Sequence, residues 1–171
     1  MKIETAVDLI KEGVTSSSQQ TWADLGAGQG MFTKALSTCL STGSTIYAVD
    51  KDGAALGSIT VEPTITLHTL QRDFVKDALD LPLLDGILMA NALHFVENQL
   101  AFIQRIRKNL KPAARIILVE YNTDHGNRWV PYPMSYSTLQ TFSREAGFAS
   151  VELLHEVPSA YQGSIYSVLL R

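Results

Sequence analysis

A short glycine-rich segment between two acidic residues is the part of this sequence best suited to bind a small ligand. Asp24 and Leu25 are followed by Gly-Ala-Gly-Gln-Gly at 26–30. Glycines at alternate positions let the backbone approach a ligand more closely than a Cβ would allow. A helical pattern begins after Gly30, and the free N–H groups at the start of a helix attract an anionic group. A glycine-rich turn without a ligand is the alternative interpretation.

Two carboxylates indicate the kind of ligand. Asp24 at the mouth of the loop repels a pyrophosphate and attracts an ammonium group. Asp50 follows about 20 residues later at the end of an apolar segment, where a carboxylate accepts hydrogen bonds from ribose hydroxyls. The dinucleotide-binding fingerprint G-x-G-x-x-G needs a third glycine where this chain has Met31. The sequence therefore favours a nucleoside that carries an amino-acid-like group.

Alternating strand and helix patterns must position these residues. The apolar and β-branched segments 21–25, 45–50, 65–70, 84–89 and 114–121 predict strands, and 151–157 with 165–170 predict an antiparallel closing pair. Helices are predicted from Ile3 to Val14, from Met31 to Leu40 with Met31 on the buried face, over 53–59, from Glu97 to Leu110, and behind a capping box at Ser137–Gln140. This alternation predicts an α/β fold with a mainly parallel sheet and helices on both faces.

Length and composition set further limits. A chain of 171 residues, 46% hydrophobic and 18% charged, predicts one domain spanning 1–171. Cys39, the only cysteine, excludes an internal disulfide and a multi-cysteine zinc site, so we expect a reducing compartment. The charged amino-terminal segment lacks a signal-peptide core, and no stretch has the ~20 apolar residues of a membrane span. We therefore expect a cytoplasmic protein without a membrane partner, and the net charge of −3 disfavours nucleic acid.

The residues of the glycine turn resemble the first motif of the class I S-adenosylmethionine-dependent methyltransferases. In that family an acidic residue and Gly-x-Gly-x-Gly follow the first strand, and the resemblance spans nearly the whole chain. It implies S-adenosyl-L-methionine as cofactor and assigns its contacts by position. Asp24 is then placed near the methionine ammonium, Gly26, Ala27, Gly28 and Gly30 beneath the cofactor, Asp50 with Lys51 at the ribose, Asp73 with Phe74 at the adenine, and Asn91 at the fourth motif.

The resemblance also implies a Rossmann-like three-layer sandwich. Its seven-stranded sheet has the order 3-2-1-4-5-7-6 with strand 7 antiparallel, in agreement with the closing strand pair read from the residues. The helix after Asp50 is shorter than the family usually shows, which weakens the assignment of the adenine wall. An alternative role for Asp73 is to cap the turn that follows it.

Methyl transfer from a sulfonium is an in-line displacement in which the protein mainly positions two reactants. Good alignment contributes on the order of 7–11 kcal/mol, so neither a metal nor a dedicated nucleophile is required, and we expect no metal. The candidate catalytic residues follow the fourth and fifth strands: Asn91 to orient a reactant, His94 to accept a proton, and Tyr121. His94 has the alternative of capping a helix or packing on the sheet. Phe95 is expected in the core, with a place in the pocket wall as its alternative.

The nature of the acceptor is less constrained. With no appended domain to hold a macromolecule, we expect a small-molecule acceptor, with RNA or protein as the alternative. A nicotinamide-dependent oxidoreductase and a non-catalytic nucleoside-binding module are the other hypotheses. The loop 125–136, with Trp129, Tyr132, Met134 and Tyr136, is predicted to be either a substrate lid or part of the core. Arg105, Arg107, Lys108 and Lys111 favour a solvated helix end over an RNA site. The oligomeric state stays open.

Overall fold

A seven-stranded sheet forms the centre of the protein. The computed structural model describes residues 1–14, 17–161 and 163–171, and the statements below refer to these residues. The strands are β1 (Thr21–Leu25), β2 (Thr45–Asp50), β3 (Thr66–Gln71), β4 (Leu84–Ala90), β5 (Leu110–Tyr121), β6 (Val151–Pro158) and β7 (Ser164–Leu170). The α-helices are α1 (Ile3–Ile10), α2 (Met31–Cys39), α3 (Gly53–Leu56), α4 (Gln99–Ile106) and α5 (Tyr136–Glu145).

The order of the strands is β3-β2-β1-β4-β5-β7-β6. The pairs within β1 to β5 are parallel, whereas β7 runs antiparallel to both β5 and β6. The expected sheet order is therefore confirmed. The carboxyl ends of the parallel strands meet at one edge of the sheet, which brings together the loops that follow β1, β2, β3, β4 and β5.

Helices cover both faces of the sheet because its strands are apolar on both sides. On one face, Trp22 of β1 packs in a buried cluster with Leu9 of α1 and Phe32 of α2. On the other, Ile103 of α4 and Leu139 of α5 belong to a second cluster that includes Ala23 and Leu25 of β1. The alternation of side chains along β1 thus assigns Trp22 and Asp24 to the α2 side.

Three local predictions are wrong at element ends. The predicted helix from Glu97 to Leu110 begins at Gln99, ends at Ile106 and is followed by a short 3₁₀ turn, so Leu110 begins β5. Met31 does not lie on the buried face of α2, because its side chain is 41% exposed. The predicted helix over 53–59 ends at Leu56.

The cap of α5 also differs from the prediction. Ser135, and not Ser137, precedes the helix, and its hydroxyl oxygen accepts a hydrogen bond from the Thr138 N–H. The helix ends before Gly147, whose φ of +78° marks the left-handed conformation common just after a helix. Among the described residues, no helix is both long enough and apolar enough to cross a membrane.

Candidate functional site

A cavity of about 350 Å³ lies at the carboxyl ends of β1, β2 and β4. We call it the first cavity; its walls are Gly26, Asp50, Lys51, Asp73, Phe74, Val75, Lys76, Asn91, Ala92 and Phe95. Six of the ten residues expected to hold the cofactor are in this wall. The other four, which are Asp24, Ala27, Gly28 and Gly30, are not.

The backbone at Gly26 forms one wall because only glycine fits there. Its φ is +85°, a conformation that side chains rarely adopt, and a Cβ at this position would lie 2.6 Å from the Cβ of Ala92. The N–H of Gly26 donates to the carbonyl oxygen of Val49, 2.8 Å away, which ties the turn to the end of β2. The first strand therefore ends in bare backbone facing the cavity.

Asp50 presents a carboxylate to the same cavity. Its Oδ2 accepts from the Gly28 N–H at 2.8 Å and its Oδ1 from the Asp52 N–H at 2.9 Å. Each carboxylate oxygen retains further acceptor capacity, which suits a ligand with two adjacent hydroxyls. Gly28 thus orients Asp50 and does not itself line the cavity.

The Asp73–Phe74 pair serves the fold and the cavity together. Asp73 Oδ1 accepts from the Val75 N–H at 3.0 Å, so this carboxylate stabilises the turn after β3, as the alternative interpretation predicted. Phe74 is buried and packs edge-on against Phe102 of α4. Because both residues border the first cavity, the turn holds an apolar ring and a polar group at one end of it.

Asn91 is the strained residue of the site. Among the described residues, Asn91 is the one non-glycine residue with a positive φ, which is +51°. Its N–H donates to the Val119 carbonyl oxygen at 2.8 Å, while its side-chain Oδ1 is buried and has no hydrogen-bond partner within the described part of the chain. A buried acceptor without a partner is costly, and strain of this kind concentrates at functional sites.

A second cavity of about 280 Å³ adjoins the first. Its walls are Asn91, His94, Phe95, Tyr121, Trp129, Val130 and Tyr161, so Asn91 and Phe95 belong to both cavities. The three candidate catalytic residues, Asn91, His94 and Tyr121, all border it. The loops after β4 and β5 supply most of this wall.

A buried histidine–glutamate pair lies beside the second cavity. His94 Nδ1 is 2.6 Å from Glu120 Oε2, and both side chains are almost fully buried. Glu120 Oε1 accepts from the backbone N–H groups of Ala92, Leu93 and His94. Glu120 is therefore placed to accept a hydrogen bond from the Nδ1–H of His94, and in that tautomer Nε2 is the acceptor nitrogen of the ring.

Tyr121 is suited to donate a hydrogen bond. Burial raises the pKa of its hydroxyl, and the charges of Glu120 and Tyr161 act in the same direction. The hydroxyl therefore stays protonated at neutral pH. This leaves His94 as the better proton acceptor of the two.

The whole arrangement matches a known family. The model of a methyltransferase-domain family matches residues 5–152, most of the chain. The chain belongs to this methyltransferase family. Family and fold together confirm the resemblance to class I S-adenosylmethionine-dependent methyltransferases and the cofactor expected from it.

Solved methyltransferase structures share the fold at low sequence identity. A Leishmania major S-adenosylmethionine-dependent methyltransferase aligns with a TM-score of 0.75 and 16% identity over 98% of this chain and 74% of that one. Human N-acetylserotonin methyltransferase, in complex with S-adenosylmethionine, gives 0.68 and 18% over 99% of this chain, which spans only 51% of the human enzyme. A methyltransferase from Aquifex aeolicus gives 0.64 and 17%, covering 98% and 95% of the two chains. No curated protein is similar enough in sequence to match.

The residues of this methyltransferase fit its cofactor, a nucleoside with an amino-acid tail. Gly26 offers backbone without a Cβ, Asp50 offers acceptors for hydroxyls, and Asn91 holds an acceptor that needs a donor. Within the described part of the chain, no cluster of three histidine, cysteine or acidic side chains is placed to hold a metal ion.

The sequence predicted that Asp24 stands at the mouth of the loop, and this prediction is wrong. Its side chain is 1% exposed, and its Oδ2 accepts from the Thr33 hydroxyl of α2 at 2.6 Å. The strand alternation explains this, since Asp24 shares the α2 side with Trp22. Burial raises the pKa of Asp24 to about 7, with the Thr33 hydrogen bond acting against this and the charge of Asp50 adding to it.

Ala27 and Gly30 serve packing in the methyltransferase. Ala27 packs with Ala48 and Leu56, and a Cβ at Gly30 would lie 2.7 Å from the side chain of Ile59. The alternate glycines therefore have different tasks. Only Gly26 of the glycine turn borders the first cavity.

Sequence reasoning misplaced or missed several wall residues. Phe95 is not in the core but 55% exposed, and it borders both cavities, in agreement with its alternative interpretation. Val75 and Lys76 directly follow Asp73 and Phe74 in the chain. Their position next to two predicted site residues was the one sequence feature that could have indicated them. Tyr161 lies in the loop between β6 and β7, where no motif indicated a site.

The aromatic loop divides between the two predicted roles. Trp129 is 68% exposed and borders the second cavity, whereas Met134 is buried and Tyr136 packs against Tyr166 of β7. The loop is anchored near the site because the Tyr132 N–H donates to the carbonyl oxygen of His94. One end of the loop thus borders the second cavity, and the other belongs to the core.

Proposed function

We propose that the protein transfers a methyl group from S-adenosylmethionine to a small molecule bound in the second cavity. The observation that carries this proposal is that the two cavities meet at Asn91 and Phe95. Two reactants in adjoining pockets are held close together, which converts a bimolecular reaction into an effectively unimolecular one.

The first cavity holds the cofactor in this proposal. S-adenosylmethionine supplies a methyl group already activated by a sulfonium. Asp50 accepts hydrogen bonds from the ribose hydroxyls, and Asp73 with Phe74 borders the adenine. The unpartnered Oδ1 of Asn91 accepts a hydrogen bond from a bound reactant, which satisfies an otherwise costly buried group.

His94 and Glu120 handle the proton of the acceptor. Glu120 fixes the imidazole through Nδ1, so the ring cannot turn away and its Nε2 accepts the proton released as the acceptor attacks. The charge of Glu120 then stabilises the imidazolium. Tyr121, protonated at neutral pH, orients the acceptor by hydrogen bonding.

Three of the four basic residues near the end of α4 make contacts within the fold. Arg105 donates to the Phe74 carbonyl oxygen, Arg107 donates to the Ala146 carbonyl oxygen, and Lys111 pairs with Asp85 at 2.8 Å. These contacts support the interpretation of the cluster as a structural helix end. A small acceptor is therefore favoured over a nucleic acid.

Calorimetric titration with S-adenosylmethionine, S-adenosylhomocysteine and NAD tests the proposed cofactor site. We expect saturable binding of the first two and none of NAD. Asp50→Asn weakens S-adenosylmethionine at least tenfold, because a charge-assisted hydrogen bond contributes about 1.5–3 kcal/mol. Asp80→Ala, which removes an exposed carboxylate outside the cavity wall, leaves the affinity within twofold.

Three outcomes would contradict the proposal. Saturable NAD binding without S-adenosylmethionine binding would favour an oxidoreductase. Equal affinity of Asp50→Asn and the unaltered protein would show that the ribose lies elsewhere. Tight cofactor binding with no methyl transfer to any acceptor tried would favour a nucleoside-binding module.

A further inference from the structure

The second cavity is walled mainly by aromatic rings. Phe95, Tyr121, Trp129 and Tyr161 line it together with Val130, and three of these rings are more than half exposed: Phe95 at 55%, Trp129 at 68% and Tyr161 at 55%. Large apolar groups left exposed around one depression indicate a binding surface. Its volume of about 280 Å³ lies just below the range of about 300–1,000 Å³ for drug-sized ligands, so the occupant is small.

The rings are arranged to hold another ring. His94 and Phe95 have centroids 4.3 Å apart, and Tyr121 meets Tyr161 edge to face at 5.9 Å. The first pair is tilted by 52° and the second by 62°, and all four rings belong to the wall of the second cavity. Aromatic pairs prefer offset or edge-to-face contacts, which a flat ligand satisfies better than a saturated one.

The second cavity offers no counter-ion to an ionised occupant. No aspartate, glutamate, lysine or arginine belongs to the described wall of the second cavity, so an ionic ligand would lose its hydration without a partner. Glu120 lies behind His94 and repels an anion. The guanidinium of Arg128 lies 5.7 Å from the centre of the Trp129 ring, where it competes with a cation for that ring.

The histidine–glutamate pair adds a chemical requirement. A proton acceptor is needed when the attacking group carries a proton that it must lose, as an aromatic hydroxyl does. An amine attacks through its free electron pair and loses a proton only after the new bond has formed, so it depends less on a base beside the attacking atom. The pair therefore favours a hydroxyl acceptor over an amine.

We propose that the acceptor is a neutral, planar aromatic compound that is methylated on a ring hydroxyl; this rests on the proposed function. An electron pair of the hydroxyl oxygen forms the new O–C bond to the methyl carbon. The S–C bond breaks with its electrons remaining on sulfur, which yields neutral S-adenosylhomocysteine. The hydroxyl proton passes to Nε2 of His94 and from there to solvent.

Four compounds on one carbon skeleton test the substrate class. 2-Naphthol is the predicted acceptor, decahydro-2-naphthol lacks planarity, 2-naphthylamine replaces the hydroxyl, and 6-hydroxy-2-naphthoate adds a negative charge. Methylated product and S-adenosylhomocysteine are measured by mass spectrometry. We expect kcat/KM for 2-naphthol to exceed that for each of the others at least tenfold.

Variants of the wall separate binding from chemistry. Trp129→Ala raises KM for 2-naphthol at least fivefold, whereas Tyr132→Ala, on the same loop but outside the cavity wall, leaves it within twofold. His94→Gln lowers kcat at least tenfold. Both cavity variants keep the calorimetric affinity for S-adenosylmethionine within twofold, which shows that they are folded.

The controls distinguish failure of this inference from failure of the proposed function. If S-adenosylmethionine does not bind, the proposed function fails and the inference fails with it. If it binds but 2-naphthol neither binds nor is methylated, or if the amine, the anion or the saturated alcohol is methylated equally well, only the inference is overturned. An unchanged KM in Trp129→Ala also overturns it.

Discussion

Asp24 illustrates how burial alters a residue that a motif assigns to a ligand. The carboxylate is buried beside Thr33, and its pKa of about 7 means that it is near the midpoint of its titration at neutral pH. In the unfolded chain the pKa of aspartate is near 3.8. The folded protein therefore holds a proton at Asp24 over a pH range in which the unfolded chain has lost it.

This difference predicts a dependence of stability on pH. Because the folded-state pKa is raised, the contribution of Asp24 is fully present below about pH 4 and is lost as the pH rises toward about 7. Between pH 5 and pH 8 the unaltered protein should lose about 3 kcal/mol of unfolding free energy relative to Asp24→Asn, which stays neutral. Urea unfolding of both proteins at the two pH values measures this difference. A parallel change in both would contradict the account.

The residue scale is also where the sequence was least informative. Asp50 could be assigned because its place at the end of a strand fixes both its exposure and its neighbours. Asp24 and Phe95 could not, since a motif gives the type of a residue and not the side of the sheet it faces. Whether Phe95 packs inward depends on the 3₁₀ turn Leu93–Phe95, which has no clear sequence signal.

The start of α5 shows how one element anchors the loop after β5. Ser135 accepts from the Thr138 N–H at 3.2 Å and donates its hydroxyl hydrogen to Asp124 Oδ2 at 2.7 Å. Asp124 Oδ1 also accepts from the Ser135 N–H. The helix cap is therefore connected to the loop after β5 that forms part of the second cavity.

Loss of this cap should destabilise the protein measurably. Ser135→Ala removes the side-chain acceptor, so we expect the free energy of unfolding to fall by about 1–2 kcal/mol. Ser137→Ala, the residue that the sequence pattern placed at the cap, is exposed and should change it by less than about 0.5 kcal/mol. Denaturant unfolding compares the two. A larger loss in Ser137→Ala would contradict the assignment of the cap.

The end of α4 and the start of β5 differ from the prediction, and the apolar pattern of the sequence does not show the reason. Leu110 continues the apolar spacing of α4, and Pro112 is a common residue beyond a helix end. In the fold both residues lie in β5. The pairing of this strand with β4 shifts from Leu84–Leu110 to Gly86–Arg115, so the strand is irregular around Pro112. This irregularity accommodates a proline that a regular central strand would reject.

At the scale of the whole molecule, strand alternation predicted the architecture well. The strand and helix order, the parallel sheet and the antiparallel closing pair follow from apolar periodicity, and the sheet order agrees with the family resemblance. The carboxyl edge was therefore identifiable as the site from sequence. The second cavity was identifiable only in part. Its walls after β4 and β5 were candidates from the sequence, whereas Tyr161 of the last loop carries no motif.

The central claim is that the first cavity holds the nucleoside and the second holds the acceptor. A crystal structure with S-adenosylhomocysteine tests it most directly. The account predicts that Asp50 accepts hydrogen bonds from both ribose hydroxyls, that the adenine lies beside Phe74, and that the thioether sulfur faces the second cavity near Asn91. A nucleoside bound elsewhere, or a sulfur that faces away from the second cavity, would contradict it.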